Sequence, residues 1–188
     1  GDLKRIGNST PRYNVGLELA ADWKRFDIRM FWQGTLKRDY FQGSYYFWGA
    51  NGRQGPWFST ALKGHDDYFR NDETSPLGTN LNSYYPRPLF NTDKNQQSQT
   101  KYLQDASYLR LKNLQIGYSL PHNIVQKMGM QNLRIFASGE NLFTITSLID
   151  FFDPESIEGG SWGHGNGYPL SRTFSFGLNV TFLSLIHI

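Results

Sequence analysis

Aromatic side chains are concentrated in one long polar stretch of the sequence, where they could bind a ligand. Aromatic rings stack on the C–H faces of sugars, and neighbouring polar groups satisfy the hydroxyls. The candidate contacts for a substrate or a partner protein are Tyr45, Tyr46, Trp48, Trp57, Tyr84 and Tyr85, with Arg87 close to the last two in sequence. The alternative is that these rings pack the stretch onto itself or onto a lid protein.

Side chains that could carry out catalysis or bind a metal are few and scattered. The triplet His-Asp-Asp at 65–67 contains metal-ligand types, and His164 lies in a glycine-rich stretch, but neither has the spacing of a known site. The carboxylates of Asp-Pro-Glu at 153–155 need not converge, because a residue before proline is extended. The sequence has no cysteine, which excludes thiolate sites and disulfides. We therefore predict no catalytic residue, no metal, no cofactor and no enzymatic activity.

The composition combines many aromatic residues with a polar average. Aromatic residues make up 16% of the 188 residues, yet the mean hydropathy is -0.55. No apolar run approaches the roughly 18 residues of a transmembrane helix. The net charge of +3 comes from scattered Lys and Arg, so no nucleic-acid-binding surface is predicted. Composition alone fits an outer-membrane barrel and a secreted carbohydrate-binding β-sandwich equally well.

Five segments alternate apolar and polar residues with the period of a β-strand. The segments cover 13–19, 25–33, 108–120, 133–143 and 173–182. The last is the most regular, because its even positions are all apolar: Phe174, Phe176, Leu178, Val180 and Phe182. In 108–120 the apolar phase changes after Leu111, which predicts a β-bulge near Lys112 and Asn113.

The connections between these segments alternate between short and long. The turn at 20–24 is tight, and 121–132 is short with a helical turn predicted at 123–128, whereas 35–106 and 144–171 are long. Bacterial outer-membrane barrels have short periplasmic turns and long extracellular loops. Five strands cannot close such a barrel, and open edges in lipid would leave backbone groups unpaired. The sequence therefore predicts an all-β fold, a fragment of an antiparallel transmembrane β-barrel with about five C-terminal strands and two long extracellular loops.

A series of short motifs, in order along the chain, resembles the C-terminal region of SusC/RagA-type TonB-linked outer-membrane proteins. The motifs are IGNSTPRYNVGL at 6–17, WKRFDI at 23–28 with QG at 33–34, ASYLRLKNL at 106–114 with GYSLP at 117–121, SGENLFT at 138–144, DPE at 153–155, YP at 168–169 and RTFSFGLNVTF at 172–182. The family more often has Gln where this sequence has Glu140.

This resemblance implies a barrel of 22 strands whose lumen is closed by a plug. The barrel would lie in the Gram-negative outer membrane, which the chain would cross many times. It implies import of nutrient oligomers, glycans and sometimes peptides, with a SusD-like surface lipoprotein as lid. The TonB complex would act through an N-terminal region that this sequence lacks. The barrel assembly machinery would read Phe174, Phe176, Leu178, Val180 and Phe182 as the assembly signal, and the apolar residues would face outer-membrane lipid.

The resemblance also divides the chain. Residues 1–182 are expected to be the C-terminal portion of the barrel, and residues 183–188 a non-native tail, because the family ends at the position of Phe182. Two alternatives stay open. A secreted carbohydrate-binding β-sandwich would bury its apolar face and be soluble alone, and a passive porin would lack the plug.

Overall fold

Seven strands and two short helices follow one another in the part of the chain that the structure describes. The structure is a computed structural model, and it describes residues 3–49, 61–89, 96–150, 152–157 and 167–182. The elements are β1 (Tyr13–Trp23), β2 (Phe26–Leu36), β3 (Asp39–Phe41), α1 (Tyr45–Trp48), β4 (Leu103–Asp105), β5 (Tyr108–Ser119), α2 (His122–Lys127), β6 (Met130–Thr146) and β7 (Thr173–Phe182), with 3-10 turns at Lys63–Asp66 and Thr100–Tyr102. The proposed tail at 183–188 lies outside the described residues.

The chain divides into two compact units. Of the described residues, those in 11–38, 107–147 and 170–182 form a sheet unit, and those in 3–10, 39–106 and 148–169 form a loop unit. In the described ranges, no helix is both long and apolar enough to cross a membrane.

The sheet unit is built on one antiparallel sheet with the order β1-β2-β5-β6-β7. Its members are the five strands that the alternation predicts, and β7 has the predicted bounds. The others differ in length: β1 continues to Trp23 and β6 runs over 17 residues. Helix α2 confirms the predicted helical turn between β5 and β6. Each strand follows its spatial neighbour along the chain, apart from the small excursion through β3 and β4.

The predicted bulge in β5 is confirmed at Lys112. Against β2, Asn113 pairs with Phe31 and Leu111 pairs with Trp32, so Lys112 has no opposite residue. Against β6, the register shifts at the same place, where Leu111 pairs with Phe143 and Asn113 with Glu140. A residue inserted in a strand reverses the faces of everything that follows it. The bulge therefore accounts for the change of phase seen in the sequence.

The register brings most of the apolar residues of the five strands onto one face. Across the sheet, Leu19, Met30 and Leu114 are successive neighbours, and Ile116, Ala137 and Phe176 continue the same face. Much of this face is not covered by protein: Leu17 is 52% exposed and Phe176 is 85% exposed, while Met30 and Leu114 are half-buried. A soluble sheet would bury such a face against a second layer. The exposed apolar face is the property that a lipid-facing barrel wall requires.

On the opposite, polar face, an ion pair joins β2 to β6 across the strand between them, β5. Arg134 on β6 donates from Nε to Asp27 Oδ2 on β2 at 2.8 Å, and its Nη2 also bonds Asp27 and, at 3.1 Å, Gln115 Oε1. The two side chains meet above Gly117 of β5, where a Cβ would collide with the carboxylate and the guanidinium. Opposite charges on one face of a sheet can pair across strands, and here the pair joins two strands that are not neighbours.

Gly117→Ala is expected to lower the free energy of unfolding by about 1 to 2 kcal/mol, because the new methyl group displaces the hydrogen-bonded ion pair. Gly16→Ala is the matched control on the same face, since its Cβ would meet only the Phe31 ring at 3.7 Å. The measurement is thermal unfolding of both purified variants by circular dichroism. Equal effects of the two substitutions would contradict this role of Gly117.

The loop unit has a core of its own, although the sequence predicts only a long loop at 35–106. Within this stretch, strands β3 and β4 pair antiparallel as a separate two-stranded sheet, in addition to the five predicted strands. The core consists of Tyr40, Phe47, Trp48, Tyr85, Tyr102, Ala106, Leu148, Phe152 and Ile157. Aromatic residues that are widely separated in sequence can therefore hold a polar stretch in one conformation.

Phe47 is at the centre of this core and has no exposed surface. Its ring makes edge-on contacts with Trp48 at 4.8 Å, Tyr85 at 5.4 Å and Tyr102 at 6.2 Å between centroids. Edge-to-face pairs contribute beyond the area that they bury. A single side chain thus joins α1 to two distant segments of the loop.

Phe47→Ala is expected to lower the local stability of the loop unit by about 3 to 5 kcal/mol, the cost of a large cavity in an aromatic core. Limited proteolysis measures this, since cleavage follows the population of the open form. Tyr168→Ala is the control at a ring that is 89% exposed, and it should leave the cleavage rate unchanged. Similar rates for wild type and Phe47→Ala would show that the core does not hold the loop closed.

Candidate functional site

A cavity of about 550 Å³ lies within the loop unit. Its buried lining includes Ser83, Tyr85 and Tyr102, and exposed lining residues include Arg87 and Lys101. The remaining lining is Phe69, two leucines, a proline and a glutamine. No Asp or Glu of the described residues lines it. The lining surface is about equally polar and apolar, and small-ligand sites are concave and carry a few polar groups that orient the ligand.

The two cationic side chains of the lining, Lys101 and Arg87, are each held by a hydrogen bond and an aromatic contact. Lys101 Nζ donates to the Ser83 carbonyl oxygen at 2.8 Å and lies 5.6 Å from the Tyr102 ring centroid. Arg87 donates to Asn71 Oδ1, and its guanidinium lies 6.0 Å from the Phe69 ring centroid. Within the described ranges, neither cation forms an ion pair with a carboxylate. Both charges are therefore available to an anionic ligand.

The tyrosines of the buried lining stay neutral. Burial raises the pKa of Tyr85 and of Tyr102, and the proximity of Tyr84 raises that of Tyr85 further. The Tyr85 hydroxyl is buried and has no hydrogen-bond partner among the described residues. Asp72 lies outside the lining, and its pKa is lowered by hydrogen bonds from Thr74 and, to a lesser extent, by the charge of Arg87. The lining therefore carries two positive charges above an uncharged aromatic floor.

The structure separates the six predicted contact residues. Trp48 and Tyr85 are buried in the core, whereas Tyr46 and Tyr84 are half-buried and pack against it. Of these four, only Tyr85 lines the cavity. Trp57 and the side chain of Tyr45 lie outside the described residues. From the sequence, packing of the loop onto itself is the alternative to ligand contact, and the buried position of Trp48 agrees with that alternative.

His65 of the candidate metal triplet has a structural position. Its Nδ1 accepts from the Leu62 backbone N–H at 2.9 Å, so Nε2 carries the proton and donates to the Phe47 carbonyl at 3.0 Å. In the part of the chain that the structure describes, no group of three or more His, Asp or Glu could hold a metal ion. His164 lies outside that part. The carboxylate of Asp153 accepts from the backbone N–H of Glu155 at 2.9 Å, which closes a local turn.

The five residues of the predicted assembly signal share the apolar face of β7. Phe174, Phe176, Leu178, Val180 and Phe182 are 40% to 85% exposed. They alternate with Thr173, Ser175, Gly177, Asn179 and Thr181 along the strand. Their placement agrees with the pattern read from the sequence, and their recognition by an assembly factor stays a prediction.

The sequence gives little indication of Lys101 and Tyr102 as site residues. They lie in a 3-10 turn before β4, some sixteen residues after Tyr85. Only the folded loop brings the Lys101 ammonium to the Ser83 carbonyl and the Tyr102 ring to 5.6 Å from Tyr84. Arg87 is noticeable in sequence because it follows two tyrosines.

Two curated relatives match this chain over almost all of its length. TonB-dependent receptor P3 of Formosa agariphila is 32% identical over 190 residues, which is 96% of this chain and 17% of that protein. TonB-dependent receptor P26 of the same organism is 29% identical over 200 residues, 96% of this chain and 18% of that protein. The chain thus spans less than a fifth of the length of these relatives. No family model matches the chain.

Solved structures of the RagAB peptide importer have the same fold over this region. The closed-closed state superposes with a TM-score of 0.66 at 25% identity, covering 95% of this chain and 18% of that one. The open-open state gives a TM-score of 0.60 at 25% identity and covers 94% and 18%. The long match in sequence and the shared antiparallel sheet agree with each other. Over nearly its whole length, this chain is homologous to a segment of the TonB-dependent receptors, and its five-stranded sheet matches part of their β-barrel.

Proposed function

We propose that this chain forms part of the wall and the loops of an outer-membrane TonB-dependent importer of nutrient oligomers. The observation that carries the proposal is the apolar face shared by five strands, which is left uncovered by protein. Homology to two TonB-dependent receptors supports the same assignment. In this proposal residues 1–182 are the C-terminal portion of the barrel, and the chain has no catalytic role.

A secreted β-sandwich is the weaker alternative. It requires a second sheet that buries the apolar face, yet Phe174, Phe176 and Leu178 on that face are 69%, 85% and 64% exposed. A bilayer needs no second sheet, because lipid tails solvate apolar side chains on the outer surface of a barrel. The exposed face therefore favours the membrane protein.

Leu17→Arg is expected to prevent stable folding in the outer membrane of cells producing the full-length protein. A charge on the lipid face costs about 2 to 4 kcal/mol near the bilayer midplane. The measurement is the amount of protein in purified outer membranes that migrates faster on a gel when it is not boiled. Glu18→Arg is the matched control, because the adjacent residue lies on the polar face. Loss of folded protein in both variants, or in neither, would contradict the membrane-facing assignment of Leu17.

Energised import and the partner proteins belong to the same proposal. The resemblance to SusC/RagA-type proteins supports a SusD-like lipoprotein as a lid and the TonB complex as the source of energy. The related solved structures are of a peptide importer, and both glycans and peptides remain candidate substrates. Assembly through the β7 residues Phe174, Phe176, Leu178, Val180 and Phe182 is proposed with it.

Deletion of TonB is expected to reduce uptake of the substrate oligomer to background, because the plugged barrel opens only when energy is supplied. Uptake of labelled peptide and glycan mixtures by intact cells measures this, with a strain lacking the full-length protein as reference. Uptake that persists without TonB but requires this protein would favour the passive porin instead. Uptake that is independent of the protein would refute the importer.

A further inference from the structure

The cavity of the loop unit combines features that together select a ligand chemistry. Its positive charges, Arg87 and Lys101, are exposed, whereas Tyr85, Tyr102 and Ser83 in its lining are buried. A carboxylate placed between two such cations gains charge-assisted hydrogen bonds, which are about twice as strong as neutral ones. No Asp or Glu of the described residues lines the cavity, and Asp72, outside the lining, acts on Arg87 only through its charge.

Apart from the unpartnered Tyr85 hydroxyl, few neutral groups of the described lining can bond a sugar hydroxyl, and this argues against a sugar ring. The Ser83 hydroxyl already donates to the Tyr85 carbonyl at 2.8 Å, and the Ser83 carbonyl already accepts from Lys101. Among the neutral side chains of the described lining, Gln99 has the one amide. A sugar would bring several hydroxyls, and each one buried without a partner costs about 1 to 3 kcal/mol. An apolar side chain resting on Tyr102, Phe69 and Leu81 would incur no such cost.

We propose that this cavity binds the C-terminal end of a peptide, with the terminal carboxylate between Arg87 and Lys101 and an apolar last side chain against the aromatic floor. The inference rests on the proposed importer function and narrows its substrate class. A cavity of about 550 Å³ accommodates one or two residues, so the remainder of the peptide extends out of it. The site thus recognises an end of the oligomer, whatever the sequence that precedes it.

The test compares two probes that differ only at the carboxylate, Ala-Ala-Leu as the free acid and as the C-terminal amide. Isothermal titration calorimetry on the full-length receptor in detergent is expected to show roughly tenfold tighter binding of the acid, the scale of one charge-assisted hydrogen bond. The double variant Arg87→Gln/Lys101→Gln should lose that preference. Glutamine keeps a donor at each position, and both side chains are exposed, so the variant is expected to fold.

Lys63→Gln is the matched control, because it removes an exposed charge from the same unit and Lys63 is not part of the cavity lining. It should retain the tenfold preference for the acid. A preference that disappears equally in Lys63→Gln would reflect net charge and would overturn the assignment of Arg87 and Lys101.

Other outcomes separate this inference from the importer function. Equal affinity for acid and amide overturns the carboxylate site, and TonB-dependent uptake of the same peptides would leave the importer intact. Binding of maltotriose or trigalacturonic acid in place of either peptide overturns the peptide substrate but again not the importer. The proposed importer function would be refuted by a different result, namely uptake that does not depend on this protein.

Discussion

Backbone pairing between five antiparallel strands, in a register that keeps most apolar residues on one side, is the constraint on which the remaining structure depends. Within a bilayer no water can satisfy the backbone N–H and C=O groups, so each strand must bond to its neighbours along its whole length. The same pairing places Leu19, Met30 and Leu114 side by side on one face and leaves the other face to polar residues. A slip of one residue in any pair would turn charged side chains toward lipid.

Two local features keep this register intact. The bulge at Lys112 is matched by an irregularity in β6, where two residues, Asn141 and Leu142, lie opposite Lys112. Asn141 adopts a positive φ of 53° there. The apolar face therefore continues on both sides of the bulge. On the polar face, Asp27 and Arg134 bridge two strands that are not neighbours, which is possible because Gly117 leaves the space between them open. Both features adjust side-chain direction without interrupting the backbone ladder.

Local periodicity was sufficient to predict the sheet from the sequence, and it was not sufficient for the loops. The bounds of β7, the bulge near Lys112 and the short helix α2 depend on residues close in sequence, and the structure confirms them. The core around Phe47 depends on contacts with Tyr85 and Tyr102, across gaps that no residue period spans. For the same reason, Trp48 could not be distinguished in sequence as a core residue, nor Lys101 as a lining residue. The ion pair between Asp27 and Arg134 likewise joins residues 107 apart in sequence, which no local period relates.

The core of the loop unit draws on both long connections of the sheet. Leu148, Phe152 and Ile157, which follow β6, pack in the same cluster as the aromatic residues that follow β2, and the Tyr40 hydroxyl donates to the Ile157 carbonyl at 3.4 Å. The Ile149 backbone N–H donates to Gln104 Oε1 at 3.1 Å. A substitution of a core residue in one connection therefore alters the packing of the other. Over evolutionary time the two loops are expected to diversify as one inherited module, in which a substitution in either selects for compensation in its partner.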